Sequence, residues 1–72
     1  MEVPLTHPLC DYKDARGSHR LSAVLDAETL TYHVDVCDPD GLSRRLNRNL
    51  PSLEHARRWA AAYRVRQLDR TR

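Results

Sequence analysis

Thr31-Tyr32-His33-Val34-Asp35-Val36 alternates polar and apolar residues, the period of a strand with one buried face. Leu30, Tyr32, Val34 and Val36 are predicted to point inward, and Thr31, His33, Asp35 and Cys37 outward. Arg20 to Asp26 repeats the pattern with Leu21, Ala23 and Leu25 on one face, although Val24 weakens the alternation. Between them, Asp26-Ala27-Glu28-Thr29 is a polar interval suited to a hairpin loop. Asp38-Pro39-Asp40-Gly41 then reverses the chain. Pro39 presets φ, Asp40 tolerates the next position and Gly41 takes positive φ, which predicts a three-residue hairpin loop closed by a glycine bulge. A third strand is predicted from Leu42 to about Asn47. Leu42 and Leu46 would face inward, Arg44 would lie at an edge, and Ser43, Arg45 and Asn47 would face outward.

The period changes after Pro51. Ser52 is a good N-cap, because its hydroxyl can accept from the unpaired amides of a first helical turn, and Glu54 complements the helix dipole. At about 100° per residue, Leu53, Ala56, Trp59, Ala60 and Tyr63 fall within one stripe, which is assigned to the core. Arg57, Arg58 and Arg64 lie off it, so the outer side of this helix is basic. The stripe fades beyond Tyr63, and Arg70-Thr71-Arg72 is expected to fray. Met1 to His19 has no clear period, contains Pro4 and Pro8, and is polar from Asp14 to Ser18. It reads as an irregular N-terminal arm over residues 1–19, with Val3, Leu5 and Leu9 folded back onto the sheet. The expected fold class is α+β: a three-stranded antiparallel β-meander with one C-terminal α-helix packed on one face, a single βββα domain over residues 20–72.

Seventy-two residues make one small domain, with one Trp, three Tyr and no Phe to build its core. A cavity able to enclose a cofactor would consume most of that core. Function is therefore expected on a surface, without a cofactor and without enzymatic chemistry. Cys10 and Cys37 are too few for a secreted disulfide scaffold. No leader pattern opens the chain and no apolar run approaches ~18 residues. The expectation is a cytoplasmic protein with reduced thiols and no membrane contact.

Two histidines and two cysteines, His7, Cys10, His33 and Cys37, raise the question of zinc. His33 and Cys37 lie about 13 Å apart on one strand, too far to share an ion, and no metal site is expected. No nucleophile signature or glycine-rich oxyanion loop surrounds either thiol, so no catalytic residue is assigned. Asp35, Asp38 and Asp40 cluster where a turn already favours aspartate.

Charge carries the functional signal. Residues 1–41 hold three Lys/Arg against eight Asp/Glu, while residues 42–72 hold nine Arg against two Asp/Glu. The second half suits an anionic partner, or one with patches of both signs. Arg45, Arg48, Arg57, Arg58 and Arg64 are the expected partner-binding residues, with Arg44 beside them. Edge strands in so short a sheet also leave pairing with a second copy open.

A three-stranded sheet followed by one helix, over residues 20–66, is similar to the AP2-type domain and the arm-binding domains of tyrosine integrases. That resemblance implies a sheet face in the major groove of DNA, with His33, Arg45 and Asn47 at the DNA and Asp35 in the same row. The run from Asp38-Pro39-Asp40-Gly41 through a strand to Ser52-Leu53-Glu54-His55-Ala56-Arg57-Arg58-Trp59-Ala60 looks like small phage and mobile-element accessory proteins. Some of these are anti-CRISPR proteins, which inhibit by docking on a host complex. The expected function is a small non-enzymatic binding module that docks on a larger macromolecular complex, as such an inhibitor does. The alternative is a DNA- or RNA-binding domain using the basic helix and the sheet face.

Overall fold

The computed structural model describes residues 6–70. Strands β1 (Thr6–Asp14), β2 (Gly17–Asp26), β3 (Thr31–Cys37) and β4 (Ser43–Leu50) form one antiparallel sheet in that order, and helix α1 (Leu53–Arg70) packs on one face. The α+β class with one C-terminal helix agrees with the sequence. The strand count does not: there are four strands, not three. Residues 6–14, expected in an irregular arm, make the extra strand, and β2 begins at Gly17 rather than Arg20. Val3 and Leu5 lie outside the described residues, as do Thr71 and Arg72.

The extra strand was hidden by two features that belong to sheet edges. β1 pairs only with β2, so Pro8 can sit in it without breaking a central ladder. A register shift between Pro8 and Cys10 places Leu9 and Cys10 together against the helix, which destroys strict alternation. The β1–β2 hairpin then turns at Ala15-Arg16, where the Arg16 amide donates to Asp14 Oδ1 at 2.8 Å.

Tyr12, Leu21, Ala23, Val34 and Val36 from the sheet and Ala56 and Ala60 from the helix are buried together. Leu21 stands opposite Val36 and Ala23 opposite Val34, so β2 and β3 form the centre of the layer. Each buried Leu or Val contributes about 1.5–3 kcal/mol by leaving water. The two alanines let the helix backbone approach the sheet closely. Ser52 caps the helix, its Oγ accepting from the His55 amide at 3.3 Å. The helix lies chiefly over β1 and least over β4.

The predicted glycine-closed turn is present. Gly41 has φ +89°, its amide donates to the Asp38 carbonyl at 2.9 Å, and the Asp38 amide donates to the Leu42 carbonyl at 2.8 Å. Two inward assignments fail around it. Leu30 sits in the β2–β3 loop at φ +56° and is 72% exposed; Leu42 precedes β4 and is 64% exposed. Arg44, expected at an edge or beyond the core, lies on the edge strand β4 opposite Val36, with its side chain exposed. Register shifts between the Tyr32, Val34 and Asp35 pairs then let Leu46 return to the core side. His33, expected at the surface, is buried on the open face, in a hollow it shares with Thr31, Arg45, Arg48 and Asn49.

Candidate functional site

The most tightly organised polar cluster lies where the β1–β2 and β3–β4 turns meet. His19, on β2, presents Nδ1 to Asp38 Oδ1 at 2.7 Å and Nε2 to Asp14 Oδ1 at 2.9 Å. Arg44 Nε donates to Asp38 Oδ2 at 3.1 Å. A carboxylate at each ring nitrogen requires a proton on each, so His19 is held as an imidazolium. Burial by itself would lower its pKa, but the hydrogen bonds and charges of Asp14 and Asp38 outweigh it and raise the value above the ordinary 6.5. Asp14 and Asp38 are each held below the usual carboxylate value, first by the His19 hydrogen bond; the Arg16 amide helps at Asp14 and Arg44 at Asp38. With both nitrogens occupied, His19 has no lone pair to act as a base. The cluster clamps two turns together.

An aromatic row runs from this clamp under the helix. Tyr12 stacks on His19 with ring centroids 4.6 Å apart, and Tyr63 meets Tyr12 edge-on at 6.2 Å. Trp59 stacks on Tyr63 at 5.3 Å and ends the row. Both helical aromatics pack against the core as expected, yet they are only half-buried. They line an open groove of about 590 Å³ between the C-terminal half of α1 and Leu46 of β4, with Arg66, Gln67, Asp69 and Arg70 along it. The groove exists because α1 leans toward β1 and leaves the β4 side least covered.

The arginines assigned from sequence do not converge on one site. Arg45 lies on the open face of the sheet, its Nε 3.7 Å from Asp35, and Arg48 lines the His33 hollow beside it. Arg57 and Arg64 line a second groove, of about 490 Å³, between α1 and β1. Arg64 Nε donates to the Asp11 carbonyl at 2.9 Å, and Arg58 is paired with Glu54 at 2.8 Å one helical turn away. Among the described residues, the side chains of Arg48, Arg57, Arg66 and Arg70 take part in no ion pair or hydrogen bond. Arg66 and Arg70 were missed in the sequence, although Trp59, Tyr63, Arg66, Gln67 and Arg70 follow a helical spacing that announces one continuous face.

The two cysteines are free and lie on opposite faces of the sheet. Cys10 points at the helix, its Sγ 4.0 Å from the Ala60 carbonyl, and burial raises its pKa. Cys37 is exposed beside Arg20 and Ser43. Among the described residues no group of three His, Cys, Asp or Glu side chains is arranged to hold a metal ion, and no helix is long and apolar enough to cross a membrane. Comparison with protein-family models, with curated proteins and with solved structures gave no match.

Proposed function

We propose that this chain is a small, non-enzymatic binding module that docks on a larger macromolecular partner through the arginine-rich surface of α1 and β4. The observation that carries the reading is the set of exposed arginines, Arg48, Arg57, Arg66 and Arg70, that have no anion of their own within the described residues. Solvated arginines of this kind supply steering and contacts to an anionic surface. The non-enzymatic part is supported by the His19 clamp, in which His19, Asp14, Asp38 and Arg44 are already engaged in closing the fold. Grooves open on both sides of the helix suit contact with a surface better than enclosure of a small substrate.

Affinity capture with the intact chain tests this, run beside the Arg57→Glu/Arg58→Glu variant, with and without nuclease. A stoichiometric partner held by the parent and lost from the variant, with the circular dichroism spectrum unchanged, is the expected outcome. Capture that survives the reversal would remove this face of the helix from the interface.

A further inference from the structure

We propose that the groove between α1 and β4 holds a short stretch of single-stranded nucleic acid, with bases against Trp59 and Tyr63 and phosphates on Arg66 and Arg70. This rests on the docking reading above and names the chemistry of the partner. The groove's composition carries it. Among the described residues, Leu46 is the only aliphatic side chain along it; the others are two aromatic rings, two guanidinium groups, an amide and a carboxylate. A groove for an amphipathic protein helix needs several aliphatic pockets in register, and these are missing here. A second copy of this chain would bring its own Arg66 and Arg70 against the same pair.

A nucleotide matches the set group by group. Its base offers a flat π face to the rings and polar edges to their neighbours, and its phosphate offers charge to arginine. Asp69 is out of place in a purely anion-binding groove, but a carboxylate accepts well from an exocyclic base amine, and Gln67 can both donate and accept. Arg66 and Arg70 stand one helical turn apart, about 6 Å along the axis, so they can follow a backbone rather than grip one point. The rings are also ordered in advance. Tyr63 is backed by Tyr12, and Tyr12 by the clamped His19, so stacking costs little further side-chain entropy. Duplex DNA hides its base faces, and the groove therefore favours single strands.

Trp59 is the only tryptophan, so its fluorescence reports on this groove alone. The test titrates the full chain with a twelve-nucleotide oligo-dT, its oligo-U counterpart and a duplex of equal length, at low salt. Expected are quenching of Trp59 by single strands, weaker binding of duplex, and an affinity that falls linearly on a log–log plot against salt. A preference between the DNA and RNA strands identifies the natural source. Arg66→Glu/Arg70→Glu should weaken binding at least tenfold with the fold intact. Trp59→Leu, read by anisotropy of a labelled strand, should weaken it by about tenfold or more. Binding without quenching, at an affinity that Arg66→Glu/Arg70→Glu leaves unchanged, would place the strand elsewhere and overturn this inference while leaving the docking reading standing. No binding of any oligonucleotide, with a nuclease-resistant protein captured instead, would do the same. So would a dimer in solution that Arg66→Glu/Arg70→Glu dissociates. Failure of oligonucleotide binding and partner capture together would overturn both readings.

Discussion

His19 Nδ1 stands 2.7 Å from Asp38 Oδ1, and through that one contact the β1–β2 hairpin is fastened to the β3–β4 turn. The pH dependence of stability follows from it. The pKa of His19 is raised above 6.5 on folding, so its contribution is complete below about that pH and is lost as pH rises through the elevated folded value. Asp14 and Asp38 are lowered from 3.8, so theirs is complete above about that pH and is lost as pH falls through the depressed values. Thermal melts across pH should therefore show a plateau between about pH 4 and 6.5 with a decline on either side. In His19→Gln the decline that begins just above pH 6.5 should vanish, and the acid one should shrink to the part that the Arg16 amide and Arg44 sustain. An alkaline slope identical in parent and variant would mean that His19 is not the group responsible.

The two carboxylates of the clamp are not equivalent. Asp38 is buried and receives both His19 and Arg44, whereas Asp14 keeps access to water. Removing Asp38 leaves the buried imidazolium on Asp14 alone and takes the partner of Arg44, so Asp38→Ala should cost about 3 kcal/mol in urea unfolding. Asp14→Ala should cost clearly less, because solvent can take the vacated position. Equal losses at the two positions would contradict the asymmetry.

Elements whose alternation is unbroken could be read from the chain alone: β3, most of β2, the glycine-closed turn and the capped helix with its stripe. What escaped depends on pairing that only the folded sheet defines. β1 was concealed by Pro8 and by the bulge that puts Leu9 beside Cys10, both permissible because β1 is an edge. His33 reads as outward by period and is outward, yet the neighbours across the bulged β3–β4 ladder bury it. The clamp joins residues far apart in sequence, and no local pattern links His19 to Asp38. The basic helix was legible, but which of its arginines lack partners was not. Arg58 and Arg64 proved to be engaged, and Arg66 and Arg70 were passed over.

Two residues with positive φ should respond to substitution with opposite signs. Gly17 has φ +128°, and a Cβ built there would come within 3.0 Å of Pro39 Cγ, across the same pair of turns that His19 clamps. Gly17→Ala should destabilise by about 1–3 kcal/mol, from backbone strain plus displacement of Pro39. Leu30 carries a branched side chain at φ +56°, exposed and gaining nothing from burial. Leu30→Asn should relieve part of the left-handed strain and raise stability by about 0.5 kcal/mol. Denaturation midpoints of the two variants against the parent decide both, and a loss at Leu30 would show that its side chain has a role the exposed loop does not suggest.

Thiol labelling tests the register of β1, on which the fourth strand depends. Pairing of Cys10 with Leu21 turns the Cys10 thiol toward Ala60, where burial raises its pKa and removes it from reagent. A one-residue slip would turn the same thiol to the open face, because side chains alternate along a strand. Cys37, exposed on that open face, supplies the internal reference. Iodoacetamide under native conditions should therefore modify Cys37 rapidly and Cys10 at least tenfold more slowly, and the difference should disappear in denaturant. Oxidation should not join the two within one molecule, since β2 separates their strands and the thiols face away from each other. Comparable native rates for the two thiols would place Cys10 on the open face and require β1 to be re-registered.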